Sequence, residues 1–276
     1  MKNYQNKLFP YAYNVLGSVE DAKDAIQDVL VKYLSIEKTE IENEMGYLIK
    51  AVVNQSINIK KKKSKITVNK MWLPEPFATE NADDNINSEE IISYSLLVLL
   101  EKLTPKERAV FILKEVFDYS HKEVAKTIDT TIENSRKILS RTKIKLVEYR
   151  AENQNSSLNT STYFQNYIHI IKNGDVKSLE KILSEDISLS ADGGSKIKVI
   201  RELTTGKRAT SNLLLYVYRT YQKLLTIKIT TINHQPALLF YQDDTLINCQ
   251  IFELENNKIK QVFSVIDPEK LSSLFL

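Results

Sequence analysis

The sequence predicts a multidomain chain: an all-α helical bundle, an all-α helix-turn-helix, and then an α+β domain. Three observations carry that expectation. Apolar residues recur at helical spacing through the first 70 residues, and three helix-start signatures crowd between residues 104 and 133. After residue 224 the chain runs in strand-length segments punctuated by Asp243-Asp244 and Asn256-Asn257. With 276 residues, 42% hydrophobic and 26% charged, the chain can bury more than one core and is not a disordered tail. A net charge of +3 excludes a histone-like polybasic protein but leaves DNA binding open, since the distribution of charge matters more than its sum.

In order, Leu8, Ala12, Val15 and Leu16 share one helical face, and Gly17 breaks the run. Ser18 to Asp21 resembles a capping box for a helix over about 19–34, on which Asp21, Asp24 and Asp28 form an acidic stripe. A helix over about 43–62 follows, with Asn54, Gln55, Ser56 and Asn58 before a basic run of Lys60, Lys61, Lys62, Lys63 and Lys65. Amides and hydroxyls suit base edges and lysines suit phosphate, while the plainer reading of the run is a solvated face. Residues 71–90 read as a linker opening on Trp72-Leu73-Pro74-Glu75-Pro76; from 75 to 90 it carries six acids and no base.

Residues 91–150 form the second expected domain. Ile91 to Leu103 reads as a helix. Thr104 to Glu107, Ser120 to Glu123 and Thr130 to Glu133 each resemble a capping box, starting helices at about 105–117, 121–128 and 131–150. A short helix, a tight turn and a longer helix match helix-turn-helix arithmetic. On the last helix the outward positions are Thr131, Glu133, Asn134, Arg136, Lys137, Ser140, Arg141, Lys143 and Lys145. Arg136 and Lys137 suit guanine edges and Asn134 suits adenine; the alternative is an ordinary bundle with a basic solvated face.

A second linker is expected over 151–161, and the third domain over 162–276. Its helices fall at about 162–172, 175–184 and 208–223. Its strands begin near 187–191 and continue at 224–233, 236–242, 246–255 and 258–266, which predicts helices packed on a bent antiparallel sheet. Asp192-Gly193-Gly194-Ser195-Lys196 forms a tight turn without phosphate-loop spacing. Tyr216, Tyr218 and Tyr221 are expected to line a core or pocket.

Several chemistries find no support. The single cysteine, Cys249, excludes an internal disulfide and a cysteine metal cluster, and His121, His169 and His234 show no metal spacing, so no metal or other cofactor is expected. Asp192, His169 and His234 are the candidate catalytic bases of the third domain, yet nothing in the sequence brings them together, so no catalytic residue is assigned and the chain is read as a non-enzyme. No apolar run is long enough to span a bilayer and the N-terminus lacks a signal-peptide core, which predicts a cytoplasmic setting.

Five stretches together resemble a bacterial RNA polymerase sigma factor of the extracytoplasmic-function (ECF) type, in the group with a SnoaL-like C-terminal domain. Leu16 to Asp28 resembles that family's sigma region 2 core-binding helix, Trp72 to Pro76 its signature linker, and Leu103 to Lys145 its region 4. Asp192 to Lys196 is similar to the group's D-G-G-G-K with serine fourth, and Asp267-Pro268-Glu269-Lys270-Leu271 to its terminal N-P-D-K-L. The resemblance implies an NTF2-like cone for the third domain and two polymerase contacts, the β′ coiled coil and the β flap. Asp21, Asp24, Gln27 and Asp28 would meet the β′ coiled coil. Asn54, Gln55, Asn58, Lys60 to Lys63 and Lys65 would lie on the promoter −10 element, and the helix from Thr131 to Lys143 on the −35 element. Trp72 to Pro76 and Asp192 to Lys196 would form a regulatory contact, answering a small-molecule or protein signal at the C-terminal domain. The free protein is expected to be monomeric. A glycine-to-serine change at position 195 is expected to stiffen the turn if that position needs positive φ. Two other readings stand beside this one: a one-component transcription regulator with a ligand-binding C-terminal domain, and a SnoaL-like cyclase or isomerase fused to DNA-binding domains.

Overall fold

The computed structural model describes residues 4–36, 41–64, 72–80, 86–146, 160–197, 199 and 203–275. The chain divides into two compact units. The first comprises Met1–Asn69 and Asn81–Arg150; the second comprises Lys70–Glu80 and Ala151–Leu276.

The first unit is all-α. Helices α1 (Tyr4–Leu16), α2 (Val19–Leu34) and α3 (Glu44–Ser64) make a bundle. Its core is Leu8, Ala12 and Val15 from α1, Ala22, Ala25 and Ile26 from α2, and Leu48, Val52 and Val53 from α3. The Ser18 hydroxyl caps α2 by accepting the Asp21 N–H at 3.1 Å, while the Asp21 carboxylate is drawn to Lys63 on α3 at 2.6 Å.

Where one helix was expected over 91–103, the chain forms two short pieces: α4 (Tyr94–Leu99), started by Ser93, and a 3-10 turn at Leu100–Lys102. α5 (Pro105–Phe111) then widens into a π turn at Ile112–Val116. α6 (His121–Thr127) and α7 (Ile132–Lys145) complete the unit. Both α5 and α6 begin with the reciprocal capping boxes read from sequence, Thr104 with Glu107 and Ser120 with Glu123. The third start is shifted by one residue. Thr131, not Thr130, is the cap, and it accepts the Asn134 N–H at 3.1 Å, so Glu133 takes no part.

The second unit is α+β. Helices α8 (Thr160–Asn173), α9 (Val176–Ile182) and α10 (Lys207–Val217), the last ending in a π turn, pack on a six-stranded sheet. The strands are β1 (Leu183–Asp192), β2 (Thr204–Thr205), β3 (Thr226–Ile232), β4 (Gln235–Gln242), β5 (Thr245–Glu255) and β6 (Lys258–Val265), in the order β2-β1-β6-β5-β4-β3, and α11 (Pro268–Ser272) follows. Asp243, Asn256 and Asn257 take positive φ in the turns the sequence marked.

The sheet is mixed and not wholly antiparallel, because β1 pairs in parallel with β6. Strand β1 is separated from the other long strands by α10, and a helical crossover permits parallel pairing where a tight hairpin does not. β2 and β3 are the two edges, so the sheet is not closed on itself. Phe164, Tyr167, Leu179, Ile187, Leu214, Phe240, Phe252 and Val262 fill the space between helices and sheet. Phe252 sits 4.8 Å from Phe164 and 5.3 Å from Tyr167 between ring centroids. Each such buried ring contributes about 2–3 kcal/mol. Of the three tyrosines expected inside, Tyr218 is buried, but Tyr216 and Tyr221 stand at the surface and pack on each other.

Candidate nucleic-acid interface

The α6–α7 pair is held at three points. Asp129 takes φ 47° in the connecting turn. The Thr130 N–H returns to the Ala125 carbonyl at 3.0 Å. The His121 ring meets the buried Ser135 hydroxyl at 2.9 Å and so ties the first turns of the two helices together. Burial first, then the neighbouring Arg136 guanidinium, holds His121 below the usual histidine range.

Ser135, Leu139, Thr142 and Leu146 form the inward stripe of α7. The residues read as outward are exposed: Thr131, Glu133, Asn134, Arg136, Lys137, Ser140, Arg141 and Lys143. Lys143 is paired with Glu115 at 3.0 Å and Lys145 with Glu107 at 2.6 Å. Arg136, Lys137 and Arg141 have no ion-pair partner among the described residues, which leaves three cations and the Asn134 amide along one face. At its start, Lys50, Lys126, Asp129, Thr130, Thr131 and Asn134 line an open depression of ≈ 700 Å³.

The second expected surface, on α3, is more heavily engaged. The Asn54 amide donates to the Thr127 carbonyl of α6 at 2.6 Å, and Gln55 donates to Asp28 at 3.0 Å. Asn58, Lys61, Lys62 and Lys63 are exposed, and Lys65 lies outside the described residues. Lys60 does not face outward. It donates to the Leu16 carbonyl at 2.9 Å and pairs with Glu101 at 3.0 Å, with its side chain 12% exposed. Helix phase carried that signal: Val53, Ser56 and Ile57 are buried, and a residue three or four positions further on lies over them. On α2, Asp24, Gln27 and Asp28 are exposed, and Asp21 is partly covered by its pair with Lys63.

Within the second unit, the Trp72 to Pro76 segment and the Asp192 turn meet. The Leu73 N–H donates to Asp192 Oδ2 at 2.8 Å, and Lys270 Nζ reaches the same oxygen at 2.6 Å while also donating to the Leu73 carbonyl. Lys270 Nζ lies 4.4 Å from the centre of the Trp72 ring, a cation–π contact. Asp192 Oδ1 accepts the Gly194 N–H at 2.8 Å. Both charged side chains are buried, at 6% and 8% exposure, so the pair is desolvated; the other carboxylate oxygen accepts the Gly194 N–H and a second ammonium proton goes to the Leu73 carbonyl.

Gly194 takes φ 63°, and a Cβ there would come within 2.2 Å of the Asp267 carboxylate, whereas Ser195 is not among the positive-φ residues. The serine therefore sits where any residue fits, and the expected stiffening does not arise. Lys196 reaches Glu269 at 2.9 Å in solvent.

The same segment is pinned again at the β3–β4 turn. Asn233 donates its N–H to the Phe77 carbonyl and accepts the Phe77 N–H with its side-chain oxygen, each at 2.9 Å; Ala78 bridges to Ile232; and the His234 N–H donates to Thr79 at 3.1 Å. Lys270 and Asn233 hold this segment without having been named as site residues from the sequence. Lys270 was visible only as part of the terminal motif, and Asn233 only as a turn-former.

The three candidate bases are not brought together. Asp192 is committed to Lys270 and Leu73, His169 pairs with Asn173 on its own helix, and His234 stands in the β3–β4 turn.

A family model described as Sigma-70, region 4, matches residues 93–146, the segment containing α5 to α7. The chain is 23% identical to the probable ECF RNA polymerase sigma factor SigI of Mycobacterium tuberculosis, covering 97% of this chain and 92% of that protein. It is 29% identical over 140 residues to the ECF sigma factor SigJ of the same species, which is 49% of this chain and 45% of SigJ. The SigJ crystal structure superposes with a TM-score of 0.79 at 19% identity, covering 98% of this chain and 96% of that one.

Residues 93–146 thus match sigma-70 region 4, and an α+β domain follows that segment in the chain.

Both curated relatives are described as ECF RNA polymerase sigma factors. Region 4 corresponds to the helix-turn-helix, and the second unit carries the C-terminal α+β domain. Among the described residues, no helix is long and apolar enough to cross a membrane.

Proposed function

We propose that this ECF sigma factor directs core RNA polymerase to promoters, with the −35 element read by α7, the −10 element by α3, and the C-terminal domain modulating both through the 72–80 segment. The observation that carries the reading is the exposed cationic face of α7 within the region 4 match. Its N-terminal residues Asn134, Arg136 and Lys137 are presented for base edges, and Arg141 and Lys143 for phosphate. On α3, Asn58 and Lys61 to Lys63 are outward, and Lys65 belongs to the same proposed surface. Asp24, Gln27 and Asp28 on α2 form the acidic face for the polymerase β′ coiled coil, and region 4 is the partner for the β flap.

In the second unit the Asp192–Lys270 pair and Asn233 hold the linker, which supports modulation by linker capture. The aromatic filling beneath the sheet favours that over a large small-molecule pocket on the helical side. A protein or small-molecule signal would then act by changing the hold on residues 72–80. The cone shape and monomeric state belong to the same proposal.

The test is retention of promoter DNA by core polymerase. The chain with core should retain DNA in a mobility-shift assay, and the chain alone should not. Arg141→Ala should weaken retention and lower the slope of log affinity against log salt by about one, and Arg136→Ala should weaken retention and relax base preference at the −35 element. Binding of an operator by the chain alone, as a dimer, would replace this reading with that of a one-component regulator.

A further inference from the structure

The second unit carries a surface that neither the region 4 match nor the linker contact uses. From Thr204 to Gln242 the chain holds five cations and no acid, although the whole sequence has 35 acidic residues. Two of the five are engaged within the unit: Lys207 pairs with Glu185, and Lys228 lies 4.8 Å from the centre of the Tyr241 ring. Arg208, Arg219 and Lys223 are exposed and have no ion-pair partner among the described residues. Arg219 is seated over Gly174 at the end of α8, where a Cβ would come within 2.3 Å of its Nη2.

These three cations share a helix face with aromatic rings. One side of α10 and of the π turn that continues it, Tyr218–Gln222, is turned inward, with Leu214, Leu215, Tyr218 and Gln222 buried. The other side carries Arg208, Asn212, Tyr216, Arg219 and Lys223, which recur at steps of three and four residues along about 20 Å of helix. Tyr216 is 58% exposed and Tyr221 66%. In an unbroken α-helix, residues five apart point about 140° away from each other. A π turn closes between residues five apart, and here it brings the two rings together, with centroids 6.3 Å apart and planes at 84°. The departure from α geometry therefore builds a paired aromatic platform in water.

Two exposed rings flanked by unpaired cations supply both parts of a single-strand site: faces for unstacked bases and charge for the backbone. A duplex keeps its base faces stacked and offers none to such rings. A membrane is a poor match, because the aliphatic side of this helix is turned into the core.

We propose that the outer face of α10 and its π turn binds single-stranded DNA, with Tyr216 and Tyr221 stacking on bases and Arg208, Arg219 and Lys223 holding phosphates. The promoter-reading proposal enters only for the source of the strand, the DNA that polymerase opens. The binding itself is a property of the chain alone.

The experiment is photocrosslinking of the full chain to an oligothymidine of roughly 12 nucleotides carrying 5-iodouracil, with attachment points mapped by peptide mass. Attachment at Tyr216 or Tyr221 is expected, displaced by unlabelled oligothymidine. Arg208→Gln with Lys223→Gln should raise the half-saturating concentration for this crosslink about fivefold or more, and lower its salt slope by about 0.7 per cation removed. Tyr216→Phe with Tyr221→Phe keeps the rings and should leave half-saturation within about twofold. Crosslinks confined to the first unit, or a salt slope unchanged in the glutamine variant, would overturn the site. Displacement by poly-glutamate of equal charge, or by phosphatidylglycerol vesicles, as readily as by oligothymidine would overturn the choice of a nucleic acid. Equal or better displacement by a duplex or by oligouridine would overturn single-stranded DNA. The assay uses neither polymerase nor promoter, so loss of promoter-specific initiation would leave this site standing, and failure of the site would leave promoter reading standing.

Discussion

The carboxylate of Asp192 divides its work between its two oxygens. One accepts the backbone of the turn it begins, at Gly194; the other accepts Leu73 and Lys270. Lys270 in turn bonds the Leu73 carbonyl and lies over the Trp72 ring, so one ion pair holds both backbone polar groups of Leu73. Asp192→Asn keeps the shape but leaves Lys270 buried without its counter-charge. It should destabilise the second unit by ~3–5 kcal/mol, read as a lower melting temperature, and expose Trp72 fluorescence to quenching. The double variant Asp192→Leu with Lys270→Met should recover much of the stability but not the linker contact. Equal melting of Asp192→Asn and the parent would remove the pair from the account. Asp192 was legible in sequence as part of a glycine turn. Its partner was not, because 78 residues separate the two and no local pattern predicts such a pairing. Lys60 was read as outward, with the rest of its run, for a different reason: a lysine run announces charge, and only helix phase distinguishes a lysine of the run that points inward.

At the scale of elements, short polar signatures were read more accurately than long ones. The boxes at Thr104 and Ser120 form as read because each pairs a hydroxyl with a glutamate three residues later. Thr130-Thr131 offered two hydroxyls in a row, and the structure uses the second as cap while the first accepts the Asn134 amide at 2.7 Å. Thr131→Ala should therefore destabilise the first unit by about 1 kcal/mol in denaturant unfolding, and Thr130→Ala by clearly less. The reverse order would restore the sequence reading. Strand positions were legible from alternation and turn residues. The parallel pairing of β1 with β6 was not, since direction is set by the crossover and leaves no mark on the strand itself. The expected helix over 91–103 starts late because Ser93 is a good cap, accepting the Leu96 N–H at 3.4 Å inside the apolar run, and its end tightens into the 3-10 turn at Leu100–Lys102.

For the whole molecule, region 4 falls mid-chain because a complete α+β domain follows it, and that domain takes residues 70–80 of the linker into its own compact unit. A linker captured in this way gives the C-terminal domain a direct hold on the segment that joins the two proposed DNA-reading parts. The central claim is promoter-specific initiation, and it is measured most directly by run-off transcription with purified core polymerase and a promoter library. Core with the full chain should give defined start sites that core alone does not. Combining Asp24→Lys with Asp28→Lys should abolish them, and Asp192→Asn should change their yield without moving them. Absence of any chain-dependent start site across the library would contradict the account.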